Sequence, residues 1–365
     1  MLSKKPFIEL VIVFTVLFFG CKKDNVVDTK PVKDPRTYSW TADTLGYPGS
    51  YQTLMNDIWG SSHNDVYIVG HNSQNRGLMW HYDGNSWTNV RLITSEGGQI
   101  DGAIDLTAIY GFSNTDIYAV GSRIVGYNPN PPPTFIDSSL IIHYDGSTWR
   151  RVNIYNGRLL GDIYGSSSNN IWAGGWEKKA FHYDGSKWEI DSINIIIPER
   201  FFFQISSIGS YNSNIYLIGN STNNTTAESI TYFFKRVNNI WVMQDSFSNF
   251  GGTNRFGWRL NQSSLPDLYS NGYGGIYKYN NTSWSNFFNT EDPISFMWGT
   301  SSNNIFATSM GGRAYHYNGT DWKQIEQLND PKIDYYAVWT DGTEAFVVGH
   351  IYDGVYMKTI VWHGK

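Results

Sequence analysis

The feature that most constrains this chain is a short motif that keeps returning. HYDGNSW stands at 81–87, HYDGSTW at 143–149, HYDGSKW at 182–188 and HYNGTDW at 316–322, with weaker copies KYNNTSW at 278–284 and KRVNNIW at 235–241. Met once, a histidine, a tyrosine and an aspartate side by side suggest a catalytic or metal-binding cluster. Met repeatedly, they describe a building unit, because self-similarity along a chain is the mark of a repeat architecture.

Each copy holds four short segments; a typical one runs LTAIYGF, DIYAVG, LIIHYD, STWRRV. Apolar and polar residues alternate between Gly, Asn, Asp and Ser turns, which is the strand signal. The second segment recurs seven times, always with an aromatic residue at its third position: Tyr67, Tyr118, Trp172, Tyr216, Tyr269, Phe306 and Phe346. A large ring at a fixed place on a strand fills the gap between packed sheets. The fourth segment is marked by Trp87, Trp149, Trp188, Trp241, Trp284 and Trp322, one short of seven. The last repeat stops at TIVWHGK, and the first repeat is preceded by RTYSWTADT. Joining the two restores the Gly-x-x-Trp spacing with Gly364 and Trp40. The sequence therefore predicts an all-β fold, a seven-bladed β-propeller closed by an N-terminal strand completing the last blade. Closure of this kind leaves no unpaired inner edge.

DIWGSSHNDVYIVG and MWGTSSNNIFATS, with the HYDG-x-x-W turns, resemble the repeats of a large group of bacterial envelope propellers over residues 38–365. That resemblance implies the fold and is silent on activity. The N-terminus points to the same compartment. A basic MLSKKP precedes LVIVFTVLFFG, an apolar run of eleven residues. The run is too short for a membrane-spanning helix, which needs about twenty residues, and fits a signal peptide over 1–20. Cys21, the single cysteine, follows at once. LFFGC resembles the lipobox of bacterial lipoproteins, which implies that Cys21 is lipidated and becomes the new N-terminus. The polar, proline-bearing stretch after it reads as a flexible tether over 21–37. Its lysine-then-acid start is similar to the surface-export signal of some Bacteroidota lipoproteins. These resemblances imply an outer-membrane lipoprotein of the bacterial cell envelope, held to the membrane by its lipid anchor and exposed at the surface.

Net charge is −5, with no dense Lys/Arg run beyond the N-terminus, which argues against a nucleic-acid partner. In the repeated motif, Asp-Gly reads as a tight turn: Gly takes positive φ and Asp or Asn caps a nearby backbone N–H. Strand spacing of ~4.8 Å places His81, His143, His182 and His316 on the third strand from the axis, roughly 14 Å from their equivalents in neighbouring blades. Zinc, with ligands at ~2.1 Å, cannot be shared among them. Lys278 and Lys235 also replace the histidine. No metal or cofactor is expected, and a monomer is.

An up-down-up-down strand order puts the first–second and third–fourth turns on one face, and these are short. Nearly every long insertion, as at 94–105, 122–138, 191–204, 220–229 and 245–254, falls on the other face, where function on a rigid scaffold is expected. Its candidate binding residues are Arg123, Tyr127, Trp176, Glu177, Arg200, Phe202, Tyr352 and the paired histidines His71 and His350. Two function classes follow. The first is a binding or scaffold module for glycan or protein. The second is a polysaccharide hydrolase or lyase using acids such as Glu96, Asp101, Asp105 and Glu177. Since no spacing links those acids into an acid–base pair, binding is the expected function and no catalytic residue is assigned.

Overall fold

The computed structural model describes residues 33–130, 134–154, 157–249, 254–263 and 265–365. Cys21, the signal segment and the proline run at 131–133 lie outside the described residues. The chain forms seven antiparallel sheets of four strands each. Their first strands are Thr53–Ser62, Ile104–Ser113, Leu160–Ser167, Phe201–Tyr211, Arg259–Leu260, Ile294–Ser301 and Ile333–Thr340, which number the blades 1 to 7. Successive blades pack against one another in order, and blade 7 packs against blade 1. The fold is the predicted seven-bladed propeller.

Blade 7 is finished as expected. Trp40–Leu45 lies antiparallel to Met357–Gly364, with Trp40 opposite Gly364 and Leu45 opposite Thr359. Ser39 and Lys365 exchange backbone hydrogen bonds of 2.9 and 3.2 Å just beyond the pair. Residues Lys33–Thr37, read from the sequence as tether, belong to this body. Pro35–Thr37 forms a 3-10 turn capped by Asp34, and Arg36 reaches Asp321 at 3.0 Å and the His316 carbonyl at 3.3 Å in blade 6. Proline at the start of the turn and a carboxylate cap are enough to order so short a segment.

The repeated histidines act within their blades. Nε2 of His81 and His143 bonds Asp65 and Asp116 at 2.7 and 2.8 Å. Nε2 of His182 and His316 bonds Asn170 and Asn304 at 2.8 and 3.0 Å. Each ring also lies on the aromatic residue of its second strand, as His81 does on Tyr67 at 4.2 Å and His182 on Trp172 at 3.9 Å. The motif is thus a clasp: the histidine ties the start of the second strand to the third and covers the aromatic wedge. Burial pulls the His316 pKa down to about 4, so that imidazole is neutral. The turn beside it behaves as read, with Asp83 Oδ1 accepting from Asn85 and Ser86 N–H at 2.9 Å and Gly84 at φ 91°.

Second strands are buried on both faces, as in Val66, Tyr67, Ile68 and Val69, because each blade is packed between two others. The glycine closing the VYIVG segment permits a close strand approach: a Cβ on Gly70 would stand 2.0 Å from the Leu54 carbonyl oxygen.

Two stretches read as loops are partly strand. Residues 122–128 and 134–138 extend a hairpin, Asp116–Asn128 with Thr134–Tyr144, and half of 220–229 is taken up by Asn214–Asn223 and Ser229–Val237. Continued antiparallel pairing satisfies backbone groups that an open loop would leave to water.

Candidate functional site

The looped face gathers part of the predicted set into one place. Between blades 3 and 4 lies a cleft of about 500 Å³ lined by Trp176, Glu177, Phe202, Arg158, Lys178 and Phe201, among others. Trp176 follows the second strand of blade 3, Asn170–Gly175, and is fixed by backbone pairing. Its N–H donates to the Leu159 carbonyl at 2.9 Å, and it bridges antiparallel to Gln204 of blade 4. Glu177 N–H donates to the Phe203 carbonyl at 3.1 Å. The turn of one blade is therefore stitched to the first strand of the next. Glu177 at this stitch has φ 98°, and Arg200, just before the strand, has φ 67°, a region that side-chain-bearing residues seldom occupy.

Charge surrounds the aromatic surface. The Arg158 guanidinium sits 5.9 Å from the Trp176 ring centroid, Lys179 Nζ is 3.3 Å from Glu177 Oε2, and Lys178 Nζ donates to the Ile195 carbonyl at 3.2 Å. Trp176 is 38% exposed and Phe202 51%. Arg158 and Lys178 were missed by sequence reading. Arg158 lies on the connection from blade 2 to blade 3, so the same face rule would have found it.

The remaining predicted residues lie elsewhere. Arg123 and Tyr127 stand on the extended hairpin of blade 2, Arg123 opposite Ile104 and Tyr127, 56% exposed, opposite Phe135. Arg200 immediately precedes the first strand of blade 4. Tyr352 is exposed, but its hydroxyl donates to the Gly354 carbonyl at 2.7 Å, and Asp353 caps the N–H groups of Val355 and Tyr356. The turn is of the same kind as in HYDG.

The paired histidines differ from each other. His350 is buried, stacks on Tyr336 at 4.1 Å and bonds the Met55 carbonyl through Nε2 at 2.9 Å. Burial drives its pKa down to about 4. His71, opposite Leu54 in blade 1, remains half-buried. His350 is therefore a neutral packing residue that donates to a carbonyl.

Of the acids considered for catalysis, only Glu177 lines the cleft. Glu96 accepts from Gly77 N–H at 3.1 Å and so braces blade 1, Asp101 is exposed, and burial pushes the Asp105 carboxyl up.

A second cluster lies at the propeller axis. One position on the first strands pairs with equivalent second-strand residues in every blade; Asp57 pairs with Val69, Asp162 with Gly174 and Arg259 with Asn271. Asp57 Oδ2 accepts from Ile109 N–H at 2.9 Å and Asp162 Oδ2 from Ile208 N–H at 2.7 Å, so each carboxylate clips its blade to the next. Arg259 Nη2 lies 3.7 Å from both, an ion pair without hydrogen bonds, and its guanidinium rests on Phe296 at 4.1 Å. Gln262 Nε2 donates to Asp162 at 2.8 Å. Burial raises both carboxyls, Asp57 to about 6, against the opposing pull of Arg259. The sequence signal was a charged residue in an otherwise apolar segment, in NDIWG and GDIYG.

Fold and site together define a seven-bladed β-propeller with one plain and one elaborated face. No protein-family model and no curated protein sequence matches the chain. Among solved structures it is similar to YCF48 bound to D1 peptide, at TM-score 0.57 and 13% identity over 91% of this chain and 95% of that one. It is similar also to YCF48 from Cyanidioschyzon merolae, at TM-score 0.55 and 13% identity over 88% and 98%. A third is the WD40 domain of Neurospora crassa Pan2, at TM-score 0.50 and 10% identity over 91% and 97%. At such identities the likeness is one of fold.

Proposed function

We propose that the protein is a membrane-anchored lipoprotein of the bacterial envelope that binds a glycan or protein segment through its looped face, in the cleft between blades 3 and 4. The observation that carries this reading is the state of Trp176 and Phe202. Two large rings are left partly exposed in a concavity, Trp176 held by inter-blade pairing and flanked by the Arg158 guanidinium. Rigid aromatic surface with an adjacent cation is the composition of binding hot spots. That YCF48 has been seen with a D1 peptide makes a peptide one ligand class to test here. Trp176→Ala should weaken binding at least about tenfold, about 1.4 kcal/mol, measured by calorimetry on the 33–365 body with ligands drawn from glycan arrays and envelope-protein pulldowns. Unchanged affinity would remove the cleft from the proposal. Polysaccharide turnover abolished by Glu177→Gln would replace binding with catalysis.

The anchor rests on the N-terminal motif alone. After loss of residues 1–20, lipidated Cys21 would hold the propeller to the membrane, several acyl chains giving firm attachment where one is marginal. Cys21→Ser should move the protein from the membrane to the soluble fraction, and membrane fractionation that does not change would end that part of the reading.

A further inference from the structure

Blade 4 departs from the repeat in one direction and blade 5 in the other. The second and third strands of blade 4, Asn214–Asn223 and Ser229–Val237, run to 10 and 9 residues, where those of blade 6 have 6 and 4. The first strand of blade 5 is cut to two residues, Arg259–Leu260. Before it comes Gly257, where a Cβ would stand 2.0 Å from the Asn271 carbonyl oxygen, so the backbone there bears no side chain. One wall is raised and the facing wall lowered. Between them is a cavity of about 220 Å³ on the looped face, separate in its chemistry from the cleft beside Trp176.

Its polar lining is neutral: amides of Gln204, Asn220 and Asn254, hydroxyls such as that of Thr222, and, among the described residues, no carboxylate or ammonium group. Asn220 Nδ2 donates to Ser206 Oγ at 3.1 Å, which leaves its Oδ1 as an acceptor toward a ligand. Asn249 Oδ1 accepts from Ser229 N–H at 2.7 Å, which leaves its NH₂ as a donor. Fixed acceptors and donors thus stand side by side. At the rim the Trp258 and Tyr273 rings meet edge to face at 4.8 Å, with Tyr273 60% exposed.

We propose that this cavity between blades 4 and 5 binds a neutral saccharide, one pyranose ring seated against Trp258 with its hydroxyls on the amide-lined wall. Sugar hydroxyls donate and accept at once and carry no charge, which matches amides and hydroxyls and gives no use for ions. The C–H face of a pyranose packs on an aromatic ring. The volume lies below the roughly 300–1,000 Å³ of pockets for drug-sized ligands, as suits a single ring. An acidic sugar or an ionised side chain would be buried there without a counter-charge, at a cost of several kcal/mol. Gln204 lines this cavity and also bridges to Trp176, so the Phe201–Gln204 end of blade 4 is a rib between two sites.

The test uses the full chain in a detergent without a sugar headgroup, titrated with maltohexaose, cellohexaose and mannohexaose and with hexagalacturonate as the charged control. Binding is followed by saturation-transfer NMR and calorimetry. At least one neutral oligomer should bind and the galacturonate should not. Trp258→Ala and Tyr273→Ala should each lower affinity at least about fivefold, and Asn220→Ala likewise. Tyr273→Ala lies at the exposed rim and spares the fold, so the result stands if Trp258→Ala is destabilised. Binding lowered by Trp176→Ala but by neither Tyr273→Ala nor Asn220→Ala would place the saccharide in the neighbouring cleft and overturn the proposal. Absence of binding by all three neutral oligomers overturns the proposal, as does binding that neither Tyr273→Ala nor Asn220→Ala alters.

Discussion

Arg259→Met should destabilise the propeller by about 3–5 kcal/mol at neutral pH, the cost of removing one partner from a buried ion group. Asp57 and Asp162 are 2% and 0% exposed, and Arg259 is the cation placed between them at 3.7 Å. Without it, both carboxylates must protonate or remain charged in the interior. Methionine keeps the packing on Phe296, so the loss reports charge and not volume. Adding Asp57→Asn and Asp162→Asn to the Arg259→Met chain should recover most of the stability, since neutral amides need no counter-ion. Urea titration of the three proteins measures it. A loss under about 1 kcal/mol for Arg259→Met would mean that the carboxyls are already neutral in the native protein.

The same cluster sets a pH dependence. The folded Asp57 carboxyl is raised to about 6, above its unfolded value. The native state therefore holds the proton more tightly, and this group's contribution to stability grows as pH falls through 6 toward 4. For Asp57 alone the gain between pH 7 and pH 5 is about 1 kcal/mol. It is read as the difference between the natural chain and Asp57→Asn.

The larger effect belongs to the closing strand. A chain lacking residues 33–45 should lose its cooperative unfolding transition and aggregate on warming. Deletion strips the Trp40–Leu45 pairing from blade 7 and exposes the edge of Met357–Gly364, whose Val361 is fully buried. It also removes Tyr38, Leu45 and Trp40 from the apolar cluster that joins blades 6, 7 and 1. An open ring exposes both the last sheet edge and the blade-to-blade packing that holds its ends together. Trp40→Ala alone, which keeps the pairing but loses the contact with Phe306, should cost about 2–3 kcal/mol. A synthetic peptide of residues 33–45 added to the truncated chain should restore the melt seen by calorimetry. A truncated chain that melts at the original temperature would show that the ring does not depend on its seal.

How much of this could be read beforehand follows the range of the interactions. Strands, turns and the seal were readable because each copy of the motif carries its own local instructions. Alternation marks a strand, Asp-Gly marks a turn, and a repeat missing its tryptophan at one end can borrow Trp40 from the other. The lining of the candidate cleft was readable only where a residue's position in the repeat fixed its face, as for Trp176, Glu177 and Phe202. The axial cluster was not. Blade 5 runs GWRLNQSS where the other blades keep an Ile-aromatic-Gly pattern or something near it, so nothing in the local sequence aligns Arg259 with Asp57 and Asp162. Likewise His71 and His350 occupy equal places in their repeats, yet only His350 found a ring at Tyr336 and a carbonyl at Met55 to bury it.

The sequence by itself determined the number of blades, their strand order and the way the circle closes, because these depend on short-range periodicity and on complementary ends. The tertiary structure alone decided which charges share the axis and which grooves open between blades. Those outcomes depend on side chains from different repeats meeting in space, and on small differences in strand length that cancel within a blade but not between neighbours.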